Sequence, residues 1–216
     1  GGDPMLDFEK TVEAVKKLKQ AFGKEHHIHC YTSIPIGADK AKILGDSGLD
    51  ELRFHLLDLT LDKYRESIEA ASNAGICVGV ELPAEPDKEE KLFSLLDTLE
   101  DSPVEFLNLN ELEITVGNQE NMDVRGFNLA GGITAAAEGS ADLAIRLKEA
   151  SKKSNFHVKF CTSFYKDAGQ LRNRFRRRAQ ATLRPYEILS EDDTIVFGAI
   201  PCELEDASDD VAELRE

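Results

Sequence analysis

The sequence has no long apolar segment, and it carries few positive charges for the number of its negative ones. No run of apolar residues approaches the roughly 18 to 20 residues that a membrane-spanning helix needs, so we expect no membrane association. Lysine and arginine number 26 against 41 aspartate and glutamate, which gives a formal net charge of −15. A surface this acidic repels nucleic acid phosphates and anionic lipids over most of its area.

Cysteine is scarce and widely spaced. The four cysteines are Cys30, Cys77, Cys161 and Cys202. No two are close enough in sequence for a CxxC or CxxxCxxC ligand set, so the sequence predicts no metal site in this chain. Three fall inside apolar, strand-like segments, which is typical of buried, reduced thiols in a cytoplasmic protein.

Strands and helices alternate through the first half of the sequence. Apolar residues at helical spacing predict helices over 7–22, 38–48, 61–75 and 88–101. Short apolar segments predict strands over 26–32, 51–57, 76–82 and 104–114. This alternation is typical of parallel βαβ units with right-handed crossovers. The apolar strands indicate a sheet covered on both faces.

The alternation changes after residue 114. Residues 115–139 are rich in glycine and asparagine and predict a long functional or disordered loop. The elements predicted beyond it are a helix over 140–153, a strand over 156–163, an arginine-rich helix over 167–182 and a hairpin of 186–189 with 194–200. We therefore divide the chain into a β/α domain (1–183), a C-terminal hairpin (184–202) and an acidic, mobile tail (203–216).

Two architectures use such an alternation, the doubly wound sheet and the β/α barrel. A doubly wound nucleotide-binding sheet normally has a GxGxxG or GxxxxGK[ST] loop, and neither motif occurs here. Polar residues cluster instead where the predicted strands end, as in barrels. They include Tyr31 and Thr32, His55 and Asp58, Glu81, and Asn108 and Asn110. A full barrel takes about 250 residues, and this chain has 216. We therefore expect an α/β fold with a partial barrel.

The first four residues, GGDP, come directly before the first predicted helix, where the loop after a barrel strand would lie. This sequence resembles the GGEP-type loop of the radical S-adenosylmethionine (SAM) family. Further segments resemble an archaeal branch of that family, related to the pyruvate formate-lyase-activating enzyme. They are HIHCYTS, GVELPAEP, EFLNLNELEIT, NMDVRGF, EGSADLAIRL and CTSFYKDAGQLRNRFRRRA. Together they cover roughly residues 1–200.

The resemblance implies a partial (β/α)6 TIM-like barrel that binds SAM and a [4Fe–4S] cluster. In the family, CxxxCxxC in the first strand's loop binds the cluster, and reductive cleavage of SAM gives a 5′-deoxyadenosyl radical that abstracts hydrogen from a substrate. That motif is absent from this sequence. On the resemblance, the chain is a C-terminal fragment, truncated within the barrel and inactive alone, with its cluster bound by a missing N-terminal segment.

The resemblance also implies which residues bind SAM. They are Gly1, Gly2, Asp3 and Pro4 of the loop, with Glu81, Asn108 and Asn110 on later strands. Asp3 stands where the motif more often has glutamate, and its carboxylate could accept hydrogen bonds from the SAM ammonium group. The alternatives are a simple turn at GGDP, a salt bridge between Glu81 and Arg53, and asparagines that only satisfy a polar barrel interior.

Two residues are candidates for catalysis. Cys161 lies among polar residues before the arginine-rich helix, where nearby cations would lower the pKa of a thiol. His55 at a strand end could act as a general acid or base. The alternative for Cys161 is a buried thiol, and the alternative for His55 is a structural role.

The partners follow from the same resemblance. The substrate is unknown, a protein glycyl residue or a nucleoside being candidates, and the electron donor would be a ferredoxin or flavodoxin. The arginines of Arg172–Arg178 could bind RNA phosphates, or they could pair with local carboxylates. Two other functions stay open: a metal-independent barrel enzyme using Glu81, Glu111 or His55, and a binding module that docks RNA or an acidic partner through the arginine-rich helix.

Overall fold

The computed structural model describes residues 2–199 of the 216, so the predictions on Gly1, Cys202 and the acidic tail 203–216 lie outside the described residues. The chain divides into two units, Gly1–Ser163 and Phe164–Glu216. The arginine-rich helix belongs to the second unit, together with the hairpin. Within residues 2–199, no helix has both the length and the apolar character to cross a membrane.

Five strands and six helices make up the described part of the first unit. The strands are β1 (His29–Thr32), β2 (Glu51–Phe54), β3 (Cys77–Ala84), β4 (Phe106–Glu111) and β5 (His157–Cys161). The helices are α1 (Phe8–Phe22), α2 (Ala38–Ser47), α3 (Arg65–Asn73), α4 (Glu89–Glu100), α5 (Gln119–Val124) and α6 (Ser140–Ala150). A 3-10 turn, Pro4–Asp7, precedes α1.

The helix ends follow local sequence signals. The Asp7 side chain accepts a hydrogen bond from the amide of Lys10 and caps α1, as its position before the apolar stripe predicts. Gly23, with φ +89°, ends α1. Gly48 ends α2 in the left-handed region, with φ +96°. The predicted helices of this unit therefore form, with ends shifted by a few residues.

The five strands form one parallel sheet in the order β1-β2-β3-β4-β5. Spatial order equals chain order, so within residues 2–163 the sheet lacks the reversal of strand order that marks a doubly wound sheet. The α/β fold and its parallel sheet are confirmed. The expectation of a partial barrel is not confirmed, since these strands form an open sheet and no closed barrel is present among the described residues.

The two faces of the sheet differ sharply in burial. One face is apolar and shares a core with helices α1–α4 and α6. Its side chains are all buried: Cys30, Thr32, Leu52, Phe54, Val78, Val80, Leu107 and Leu109. On the opposite face Tyr31 is exposed and Arg53, Glu81 and Asn110 are partly buried, whereas Glu51 and Asn108 are buried. The prediction of a sheet covered on both faces is therefore wrong, because alternate strand residues are polar and face outward from the core.

Two local predictions also need correction. Strand β3 does not end at Pro83 but continues to Ala84, paired with Glu111 of β4. Pairing with β2 has already stopped at Val80, so a proline is tolerated where that edge is unpaired. The predicted loop 115–139 contains helix α5 and one isolated antiparallel bridge, Leu129 with Ala137, and its Ala136 forms a second one with Glu113, which precedes the loop.

The second unit begins with a π-helical segment, Tyr165–Leu171, which leads into helix α7 (Arg172–Thr182). A two-stranded antiparallel sheet follows, made of β6 (Ile188–Leu189) and β7 (Ile195–Val196). The predicted C-terminal hairpin is therefore confirmed, with shorter strands than expected.

Close packing between α2 and α3 depends on Gly45. A Cβ atom built at this position would lie 2.5 Å from the backbone oxygen of Ala74, which cannot move aside cheaply. We expect Gly45→Ala to lower the free energy of unfolding by about 1–2 kcal/mol, because overpacking outweighs the better helix propensity of alanine. Chemical denaturation measures this. The matched control is Gly117→Ala in an open loop, expected within about 0.5 kcal/mol; equal effects would contradict the packing argument.

Candidate functional site

An open cleft of about 360 Å³ lies at the carboxyl ends of β1 and β2. Its lining comes from three segments, namely Gly2, Asp3 and Pro4, then Tyr31, Thr32 and Ser33, and lastly His55. The carboxyl ends of parallel strands meet at one edge of a sheet, which is why residues distant in sequence gather here. The structure therefore brings the described part of GGDP together with the catalytic candidate His55.

The carboxylate of Asp3 anchors the loop to strand β1. Its Oδ1 accepts hydrogen bonds from the amide of Met5 and the hydroxyl of Thr32, each at 2.9 Å. Its Oδ2 accepts from the amide of Ser33 at 2.6 Å and from the Ser33 hydroxyl at 3.1 Å. These four donors match the roughly four lone-pair positions of a carboxylate. The side chain therefore holds the loop in place.

The same contacts set the ionisation of Asp3. Burial raises the pKa of this carboxyl, but the hydrogen bonds from Ser33, Met5 and Thr32 together outweigh burial and hold the pKa below its ordinary value of 3.8. Asp3 is therefore ionised at neutral pH, and the charge-assisted hydrogen bonds are of the stronger kind.

Gly2 gives the loop an unobstructed backbone. Its φ of +134° lies in a region that residues with a Cβ rarely adopt. A Cβ built there meets no atom within 4 Å, so the space beside this backbone is open. A ligand could approach the main chain closely here.

Glu81 is the centre of a second polar cluster, on the open face of the sheet. Its Oε2 accepts from Arg53 Nη1 at 2.9 Å and from Asn108 Nδ2 at 3.0 Å, and its Oε1 accepts from Asn110 Nδ2 at 3.0 Å. Burial raises the pKa of Glu81, but the hydrogen bonds from the two amides and the guanidinium outweigh burial and hold the pKa below its ordinary value. The salt bridge to Arg53, one alternative from the sequence, is therefore present.

Tyr31 and His55 join the cleft to this cluster. Arg53 Nη1 donates a hydrogen bond of 2.6 Å to the Tyr31 hydroxyl. His55 Nδ1 lies 3.1 Å from the backbone oxygen of Glu81, and the His55 amide donates to the Thr32 carbonyl oxygen at 2.8 Å. Burial raises the pKa of the Tyr31 hydroxyl, and the Glu81 carboxylate adds to the increase. The two clusters thus form one continuous polar surface.

Sequence reasoning missed Ser33, whose amide and hydroxyl both hold Asp3. The available signal was its place directly after the strand end of Tyr31 and Thr32.

Cys161, the other catalytic candidate, ends β5 opposite Asn110 and is partly buried. Its role stays a prediction.

Two cysteines of the described chain, Cys30 and Cys77, have thiols whose pKa is raised. Burial raises the pKa of the Cys30 thiol to about 11, and burial together with Glu105 raises that of Cys77 to about 12. Both are therefore neutral thiols at physiological pH.

Local ion pairing accounts for part of the arginine-rich helix. Arg176 Nε lies 2.6 Å from Oδ1 of the buried Asp193, and Arg172 Nε lies 3.7 Å from its Oδ2. Arg172 also donates to the backbone oxygen of Glu191 at 3.3 Å. For these two arginines, the alternative of pairing with nearby carboxylates is present in the structure.

Comparison with known proteins gives one informative similarity. No family model matches the chain. A protein of Methanocaldococcus jannaschii, named "Putative glycyl-radical enzyme activating enzyme", is 33% identical over 225 aligned positions. The alignment covers the whole chain, whereas the chain spans 59% of the relative's length. The chain is therefore similar from end to end to part of this protein, and the name of the relative supports the resemblance to the radical SAM family.

Proposed function

We propose that this chain is the SAM-binding part of a radical SAM enzyme related to the activating enzymes of glycyl-radical proteins. The observation that carries the proposal is the cleft in which Gly2, Asp3 and Pro4 meet His55 at the carboxyl ends of β1 and β2. A parallel sheet in chain order, with one polar face, agrees with an arc of a (β/α)6 barrel whose interior is that face.

The loop is suited to the amino-acid end of SAM. Gly2 has no side chain to obstruct a ligand, so its backbone could hydrogen-bond an ammonium group. Asp3 would affect SAM binding only indirectly, by holding the loop in place, because Thr32, Ser33 and Met5 already donate hydrogen bonds to its carboxylate. In this proposal Asp3 is a positioning residue, and Gly1 and Pro4 complete the loop.

The polar face of the sheet is suited to the nucleoside end. Asn108 and Asn110 both direct Nδ2 to Glu81, which fixes the orientation of the two amides. Each side chain then offers its Oδ1 as an acceptor for an adenine amino group. Glu81 orients the asparagines, and His55 and Cys161 remain the candidates for proton or hydrogen transfer near the substrate.

The fit differs for the two cofactors. The open backbone in the cleft and the amides on the polar face support SAM binding, whereas CxxxCxxC, the motif that binds a [4Fe–4S] cluster, is absent from this chain. We therefore propose SAM binding, and not cluster ligation, for these residues. In the family, SAM reduced by the cluster supplies a 5′-deoxyadenosyl radical. For the whole protein we propose a glycyl residue of a partner protein as substrate, a ferredoxin or flavodoxin as electron donor, and a cytoplasmic location.

The test uses the full-length protein that contains this chain, reconstituted anaerobically with iron and sulfide. Reduction in the presence of SAM is expected to yield 5′-deoxyadenosine. Gly2→Val should lower the yield about tenfold or more, because a branched side chain strains a φ of +134° and fills the space beside the backbone. Gly132→Val, at another open glycine with φ +84°, is the matched control and should leave the yield unchanged. A cluster that forms without cleaving SAM would overturn the proposal.

A further inference from the structure

A second polar group lies at the amino ends of β1 and β2, at the other end of the strands from the cleft. His29 and Glu51 are the first residues of these strands and are direct register partners. His27 precedes His29 by two residues. Each of the three side chains offers one ligand atom, and these atoms all lie within 4.8 Å of one another.

We propose that His27, His29 and Glu51 form a binding site for a divalent transition metal, with Zn²⁺ as the best match. Two imidazoles and one carboxylate are a known three-ligand set for zinc, which leaves a fourth position for water or another ligand. In a tetrahedral site with bonds of about 2.0–2.1 Å, neighbouring ligand atoms lie roughly 3.3–3.4 Å apart. His27 Nε2 and Glu51 Oε2 are 3.4 Å apart, so this pair already has the required spacing.

The surroundings of Glu51 favour this role. Its two oxygens have different partners, since Oε1 accepts from Arg53 Nε while Oε2 faces His27. A hydrogen bond to the non-ligating oxygen is the kind of outer contact that orients a metal-binding carboxylate. Only 12% of the Glu51 side chain is exposed, so its orientation is well defined.

The local charge also favours a cation. Arg53 is shared between two carboxylates, those of Glu51 and Glu81. One guanidinium against two carboxylates leaves a negative charge at this part of the sheet. A divalent ion bound by neutral imidazoles and Glu51 would compensate that charge, which offsets its repulsion from Arg53.

This site is separate from the chemistry of the proposed function. Its nitrogen and oxygen ligands suit zinc and not an iron–sulfur cluster, which takes thiolates. Cysteine spacing could not have indicated such a site, because Glu51 reaches the histidines through strand pairing and not through a sequence motif.

Isothermal titration of the metal-free full chain with Zn²⁺ tests the proposal. We expect one ion per chain, and we expect His29→Ala and His27→Ala each to weaken the dissociation constant about tenfold or more. The matched control is His26→Ala, whose ring packs against Phe22 at a centroid distance of 4.9 Å. Cys77→Ser is the second control, since Cys77 is the register partner of Glu51. Both controls should bind zinc as the wild type does.

Binding of Co²⁺ gives an independent readout. The visible absorption of tetrahedral Co²⁺ is expected in the wild type and should disappear in His29→Ala. Both histidines are exposed, so their substitution should preserve the fold, which circular dichroism would confirm. Zinc binding that is absent, or that survives loss of either histidine, would overturn the proposal. Loss of binding in Cys77→Ser would show that the ligand set is wrong.

Discussion

Replacing Glu81 with alanine is expected to lower the free energy of unfolding by about 2–4 kcal/mol, because two amide donors lose their acceptor. Only 19% of the Glu81 side chain and 18% of the Arg53 side chain are exposed. The substitution removes the acceptor of both asparagine amides, whereas Arg53 keeps its ion pair with Glu51. Each buried donor without a partner adds its own desolvation cost.

Three variants distinguish the loss of the Glu81 hydrogen-bond network from the loss of any single negative charge. Glu13→Ala removes an exposed carboxylate paired with Lys17 and should leave stability nearly unchanged. Glu81→Gln keeps the shape but presents an amide donor to Asn108 or Asn110, so it should cost nearly as much as alanine. In a double-mutant cycle with Arg53→Met, we expect a coupling energy of about 1–3 kcal/mol. A Glu81→Ala effect as small as that of Glu13→Ala would disprove this account.

The helices of the first unit are largely predictable from local signals. The apolar spacing of residues 8–22, the cap at Asp7 and the glycine at 23 act within one turn of chain, so no tertiary knowledge is needed. The ends of the strands are less predictable, because strand length depends on partners. Strand β3 extends through Pro83 since β4 pairs with it on one side only.

The candidate site was predictable only in part. Polar residues at strand ends, such as Tyr31 and His55, mark the cleft because parallel strands end at one edge. Their partners were not predictable, since register decides which side chains meet. Register places Tyr31 beside Arg53 and His29 beside Glu51. A sequence pattern shows that each residue is polar, but not that Arg53 bridges two carboxylates.

Replacing Asp3 with alanine is expected to cost about 2–3 kcal/mol of unfolding free energy. The variant loses charge-assisted hydrogen bonds from Ser33 and Thr32, and it loses the cap on the amide of Met5. Thr32 is only 2% exposed, so its hydroxyl has little access to replacement water. Chemical denaturation measures the loss. The control is Asp7→Ala, which removes a single exposed cap at 3.4 Å and should cost about 1 kcal/mol or less.

The dependence on pH gives the sharper test of Asp3. Its folded-state pKa lies below the ordinary value of 3.8, so its ionised form stabilises the fold above that value, and the contribution is lost as the pH falls through the folded pKa. The stability difference between the wild type and Asp3→Asn should therefore be constant near neutral pH and shrink in acid. Denaturation curves recorded from neutral pH down into the acid range measure it. A difference that stays the same throughout would show that the Asp3 charge does not hold the loop to β1.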